Sequence, residues 1–345
     1  MQITFRVVSV AAGGALLIFV FRDVDFPVMY SQIANVGYYF IPIYAVYGVG
    51  CLLDTAAWKA ILSTPQKTIS FSKLFQIFVS GESLHRFIPA GVVVGEGAKI
   101  FLLTKQSRFN GPETVSSLVI RKLLMGLSQG MYIGVGVFLG ILLSQEAGLI
   151  RLVSAGISLI VLGVFFLMGI KLSRGSLFNW LFRFLRRMPV IGTRIENNKD
   201  FFERTDIELK DFFVHKRRRG FLAFFLFFGG WLTEALETYL IIAALGIKVL
   251  PYQVMIFEPI VSLTRSLAFF IPGGLGVIDS GYASAFGSAG IANVATVGAA
   301  FIIIKRSKEL FWILIGLFFM WLQGRTVAES MLGRPLQSDY APEIV

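Results

Sequence analysis

Six apolar stretches decide what this chain can fold into: residues 5–21, 36–62, 113–143, 150–171, 220–246 and 293–322. Each comes close to or exceeds the ~20 residues that a helix needs to cross a bilayer. Backbone in lipid must satisfy its own N–H and C=O groups, so such stretches fold as helices. Of the 345 residues, 55% are hydrophobic and only 15% charged, against about 25% charged in soluble domains. The expected fold is all-α, a polytopic transmembrane helical bundle. The first apolar run is followed by RDVDFP and not by a small-x-small cleavage site, so it reads as a retained helix.

Two further regions, 71–104 and 253–290, are apolar but interrupted by Pro, Gly and charge. Each reads as a pair of short or broken helices, or as a re-entrant hairpin. Non-helical backbone at membrane depth survives only inside protein or beside a wet cavity.

Loop charge orients the chain. Segment 172–219 holds 12 Lys/Arg against 6 Asp/Glu and ends in KRRR, which places it in the cytoplasm. Segments 22–35 and 144–149 are poor in Lys and Arg and suit the outside. Lys99, Lys105 and Arg108 fall on the cytoplasmic side if 71–104 enters and leaves on that face, and both termini are then cytoplasmic. The expectation is a multi-pass protein of the inner (plasma) membrane. Within 172–219, LFNWLFRFLRRMPV reads either as an interfacial amphipathic helix on anionic headgroups or as an ordinary connecting helix.

Composition also excludes. The net charge of +11 is explained by topology and affinity for anionic lipid, so no nucleic-acid partner is expected. Cys51 is the sole cysteine, and His85 and His215 the sole histidines. No disulfide, zinc site or His-rich metal site follows, and no cofactor is expected. GGLGVIDSG is not part of a βαβ unit, and no GxxxxGK[ST] loop is present, so ATP hydrolysis by this chain is not expected.

The chain repeats itself. FIPAG at 87–91 matches FIPGG at 270–274, and LVIRK at 118–122 matches IIIKR at 302–306, at offsets of 183 and 184. Asp54 falls on Glu237 at the first offset. In the topology above the two copies start from opposite sides, giving an inverted internal repeat with one interrupted hairpin in each half. Transporters use this plan, with the site near the bilayer midplane. The domain reading is one membrane domain, 1–325. Repeat one covers 36–171, a basic linker 172–219 and repeat two 220–322; a tail occupies 326–345.

Charges inside apolar segments need a reason, because each costs roughly 2.5–3.5 kcal/mol at bilayer centre. Candidate substrate-binding or translocation residues are Glu82, Arg86, Glu96, Arg121, Lys122, Glu237, Arg265, Asp279, Lys305, Arg306 and Glu309. Glu234, Glu258 and His85 are further charged or titratable groups in the same surroundings. Glu82 falls opposite Arg265 in the repeat, which suggests a pair across the halves. The set reads either as a polar cavity whose arginines grip an anionic headgroup or as ion pairs that lock helices. Pro89 and Pro272 stop the helices before them. Gly91, Gly95 and Gly97, and Gly273, Gly274 and Gly276, allow turns that other residues resist. A helix starting after such a turn would aim free N–H groups at an anion.

R-F-I-P-A-G…G-E-G at 86–97, LVIRK, and F-I-P-G-G-L-G-V-I-D at 270–279 together resemble the lysylphosphatidylglycerol synthase transmembrane region. This flippase-like family includes the membrane half of multiple peptide resistance factor. The likeness covers about 5–325. It implies an all-helical inner-membrane domain that moves lipid between leaflets. Arg86, Pro89, Gly91, Glu96 and Arg121 match its first motif set, and Pro272, Gly274, Gly276, Asp279 and Arg306 its second. Asp279 stands where the family usually has Glu, and Ile120 where an acidic residue commonly precedes the Arg.

The longest soluble segment, 172–219, is too short for an aminoacyl-transfer domain. The expectation is therefore a non-enzymatic lipid flippase or translocase. Its cargo would be an anionic or zwitterionic phospholipid or a lipid-linked headgroup, and its partners membrane lipids. A proton- or ion-coupled small-solute transporter is the alternative, as is a non-transporting partner of a membrane synthase or glycosyltransferase. A homo-oligomer is compatible with either.

Overall fold

The computed structural model describes residues 24–62, 67–87, 91–143, 180–183, 198–267, 276–288 and 294–331, with scattered positions between 156 and 170. The 5–21 run, most of the 150–171 run and most of LFNWLFRFLRRMPV lie outside the described residues. Among the described residues there are ten α-helices and no strand. They are α1 (Phe26–Val36), α2 (Phe40–Leu62), α3 (Phe71–Phe87), α4 (Gly91–Gln106), α5 (Gly111–Leu143), α6 (Lys199–His215), α7 (Arg217–Ala244), α8 (Pro251–Leu267), α9 (Val277–Ser288) and α10 (Val294–Met331). A short 3₁₀ turn, Gly37–Tyr39, joins α1 to α2.

Local chemistry sets several helix starts. Asp25 caps α1 by accepting from the Val28 N–H at 3.1 Å, with a proline just inside the helix. Asn110 and Glu113 cap α5 reciprocally, each side chain accepting from the other's N–H at 2.9 Å. Lys67 closes on the same Glu113 at 2.7 Å. Gly276, at φ +78°, turns the chain into α9.

Among the described residues, three stretches are long and apolar enough to cross a membrane: Phe26–Leu62, Gly111–Gly140 and Arg217–Ala244. α10 is longer, at 38 residues, but carries Lys305, Arg306, Lys308 and Glu309 near its middle. Its other face is apolar and exposed, with Leu310, Leu314, Phe318 and Trp321 at helical spacing. Regions 71–104 and 253–290 each fold as two short helices, α3–α4 and α8–α9. At 12 to 17 residues, each is about 18–26 Å long, short of a ~30 Å hydrocarbon core.

The second half repeats the element order of the first. Helices α2, α3, α4 and α5 begin 177, 180, 186 and 183 residues before α7, α8, α9 and α10. Contacts repeat too. α3 packs on α4 and α10, while α8 packs on α9 and α5. Each hairpin therefore leans on the long helix of the opposite half. α2 and α7 pack on each other more extensively than any other pair. They run antiparallel, because Gly50 meets Thr233 while Leu53 meets Gly229 and Asp54 meets Gly230.

Lipid removes the usual hydrophobic drive between helices, so close approach and interhelical hydrogen bonds hold them. A methyl on Gly316 of α10 would collide with Ser83 Oγ and the Val79 carbonyl of α3. Ser80 Oγ donates to the Gly316 carbonyl at 3.2 Å in the same contact. On the other side, Pro259 inside α8 cannot hydrogen-bond back to the Met255 carbonyl. Gly136 of α5 packs against that carbonyl, where a Cβ would come within 2.7 Å.

The described C-terminal part of the basic segment, 198–219, is largely helical. α6 buries Leu209 and Phe212 with Ile61, Ile120, Ala223 and Phe227, beneath α5 and α7. At its end the Lys216 ammonium bonds the Asp211 carboxylate at 2.8 Å and, with His215, holds its pKa below the usual range.

Candidate functional site

Among the described residues, and Asp206 of α6 apart, buried charge collects in two places, one for each half. The first draws on α2, α3, α4 and α5. Lys99 of α4 is completely buried and donates to Glu82 of α3 at 2.6 Å and to Glu96 at 3.2 Å. Arg121 of α5, 1% exposed, lies 3.4 Å from Glu82, 3.7 Å from Glu96 and 3.8 Å from Asp54 of α2. Lys122 pairs with Glu96 at 2.8 Å. His85 Nδ1 lies 3.6 Å from Glu82. The Phe78 ring supports both cations, with Arg121 at 4.8 Å and Lys99 at 5.3 Å from its centroid. Arg121 Nε and Nη1 and Glu96 Oε2 are buried without a hydrogen-bond partner.

The second cluster draws on α7, α8, α9 and α10. Lys305 donates to Tyr282 Oη at 2.6 Å and to Thr238 Oγ1 at 3.0 Å. Those two hydroxyls donate onward to the two oxygens of Glu258, at 2.7 and 2.9 Å. The result is a closed ring with its polar groups buried. Glu237 lies 3.7 Å from Lys305 and accepts two bonds from Lys308, at 2.8 and 2.9 Å. Arg306 Nη2 donates to both oxygens of Asp279, at 2.8 and 3.0 Å. Asp279 also accepts from the Gly276 N–H at 2.9 Å. That donor at the start of α9 is thus taken by the protein's own carboxylate, contrary to the expectation of N–H groups left for an anion.

Two contacts correspond between the clusters. Arg121–Asp54 at 3.8 Å matches Lys305–Glu237 at 3.7 Å, and Lys122–Glu96 at 2.8 Å matches Arg306–Asp279 at 2.8 Å. Arg86 of α3, from the first half, reaches Glu309 of α10 at 3.3 Å. Opposite charges face one another in both: Asp54, Glu82 and Glu96 face Lys99, Arg121 and Lys122, while Glu237, Glu258, Asp279 and Glu309 face Arg86, Lys305, Arg306 and Lys308. Opposite charge at these distances is what makes burial tolerable. Space beside the link is small: a cavity of about 10 Å³ is lined by Tyr47, Cys51, Glu82, Ser83, Arg86 and Trp312.

A family model for the lysylphosphatidylglycerol synthase TM region matches residues 6–327. The chain belongs to that family. Comparison with the curated proteins and with the solved structures gave no match. Membership in the lysylphosphatidylglycerol synthase TM family places the chain in a membrane and ties it to a lipid-related role. Where the family commonly has an acid before the arginine, Ile120 is buried in the apolar cluster under α6. A carboxylate there would be stranded among Leu209, Phe212 and Phe227.

Ten of the eleven candidate charges have described side chains, and all ten join the network: Glu82, Arg86, Glu96, Arg121, Lys122, Glu237, Asp279, Lys305, Arg306 and Glu309. The side chain of Arg265 lies outside the described residues, as do Pro89, Pro272, Gly273 and Gly274. Glu82, expected opposite Arg265, pairs with Lys99 and Arg121.

Three expectations are corrected. Lys99, read as a charge on the cytoplasmic side, sits at the heart of the first cluster. Gly91 and Gly95 lie within α4 and serve close packing on α3, since a methyl on either would strike the His85 or Gly81 carbonyl. Gly97, also in α4, has open space beside it. Only Gly276 adopts the left-handed conformation expected of the described members of this set. Sequence reasoning missed Lys308, Tyr282 and Thr238 and left Glu258 and Asp54 outside the site. The signal was present for Lys308, which completes KRSKE in an otherwise apolar helix.

Proposed function

We propose that this chain moves lipids between leaflets of the inner membrane, carrying the headgroup along the charged seam between its halves. The carrying observation is the pair of buried clusters of opposed charges, one per half, with Arg86 of the first half reaching Glu309 of the second. A polar headgroup needs such a path because hydrocarbon offers it no partners. The acyl tails stay in the bilayer beside the exposed apolar faces of α7 and α10. In the described clusters each cation lies against a carboxylate. An anionic or zwitterionic phospholipid, or a lipid-linked headgroup, advances by exchanging with those carboxylates.

The antiparallel α2–α7 pair and the matched contacts support reading the halves as inverted copies, with α3–α4 and α8–α9 as re-entrant hairpins. Both termini are then cytoplasmic. Nothing in this scheme requires catalysis, and membrane lipids are its only necessary partner. A gradient-coupled solute carrier is the competing reading, favoured by the water-sized cavity beside Arg86.

Fluorescent-lipid scrambling in proteoliposomes tests the proposal. Wild type should equilibrate labelled phospholipid at least tenfold faster than Arg121→Ala and Arg306→Ala, with helicity and elution volume unchanged. A folded wild type that moves no headgroup, with or without a proton gradient, would overturn it in favour of the solute carrier or a synthase partner.

A further inference from the structure

Glu309 holds two arginines, one from each half. Arg86 Nη1 lies 3.3 Å from its Oε1 and Arg306 Nη1 lies 2.8 Å from its Oε2. Each guanidinium has a second anchor independent of Glu309. Arg306 Nη2 donates to both oxygens of Asp279, and Arg86 lies over the Tyr47 ring, 5.4 Å from its centroid. These side chains are also the more accessible part of the second cluster. Arg86, Arg306 and Glu309 are 26, 23 and 19% exposed, against 9 and 3% for Lys305 and Lys308.

Moving Glu309 aside would therefore leave two oriented guanidiniums around one vacated anion position. Guanidinium forks match phosphate as well as carboxylate, and phosphate offers more oxygens to share between two of them. We infer that Glu309 is a built-in stand-in for phosphate, and that Arg86 and Arg306 form a binding site for the phosphate of a lipid headgroup that displaces it. The site rests on the transport reading above and names the chemistry of its cargo. A tethered carboxylate competes at high effective concentration, so it keeps binding weak and release easy.

This reverses the usual sign of a buried-charge substitution. The full chain in detergent is titrated with short-chain phosphatidylglycerol, with glycerol 3-phosphate, and with a short-chain diacylglycerol that lacks phosphate. Glu309→Gln should bind phosphatidylglycerol at least tenfold more tightly than wild type, and adding Arg86→Gln should abolish the gain. The diacylglycerol should show no gain. Equal gains for both phosphate compounds would support phosphate alone as the ligand; a gain confined to the lipid would support a site that also needs acyl chains. A folded Glu309→Gln that binds no tighter overturns the inference, as does equal tightening for diacylglycerol. Should Glu309→Gln not fold, Arg86→Gln decides: a tenfold loss against wild type supports the site, and unchanged affinity sinks it. Scrambling is read separately. Transport with unchanged Glu309→Gln binding removes this site alone, while tightened binding without scrambling removes transport alone.

Discussion

At the residue scale, pairing matters more than charge. Lys308 and Glu237 are both almost fully buried and share two short hydrogen bonds. Glu237→Ala should destabilise the protein by about 3–5 kcal/mol, because a buried ammonium loses its partner. Adding Lys308→Met should restore most of that loss. Loss of helicity in a titration of mixed micelles with denaturing detergent measures both, and a double variant no more stable than the single would refute the pairing argument. The charges of α10 are legible in the sequence because they stand in an apolar run. Their partners are less so. Glu237 lies 71 residues before Lys308, and no local rule reaches that far. Lys99 misled because a lysine beside an apolar segment reads as a loop marker, whereas its meaning comes from Glu82 on the neighbouring helix.

At the element scale, helices were legible wherever an apolar run met a cap, as at Asn110 and Glu113 before α5. Glycine roles were not. Gly91 and Gly95 follow a proline and invite a turn reading, yet what they accommodate is the backbone of α3. The same contact type yields a prediction. Gly316→Leu should push α10 away from α3 and cost about 1–3 kcal/mol, lowering thermal stability and slowing scrambling. Gly324→Leu, at a position with open space on the same helix, should be neutral. Equal effects from the two would remove close packing as the cause.

At the scale of the whole molecule, the shared element order of the two halves was hinted at by two short phrases, while the packing of α3 on α10 and of α8 on α5 was not, since packing partners leave no local signature. The proposed inversion makes a topological prediction. In a Cys51→Ser background, Lys248→Cys should react with an impermeant maleimide in intact cells, and Lys105→Cys only after permeabilisation. Both positions are exposed, so labelling from one side only would reject the inversion. The network also has a consequence for biogenesis. α10 places four ionic side chains in its middle, an insertion cost on the order of 10 kcal/mol for an isolated helix. Its carboxylate partners Glu237, Glu258 and Asp279 all precede it in the chain. Ribosomal order thus delivers the counter-ions first, and α10 enters a membrane in which its neutralising surface is already waiting.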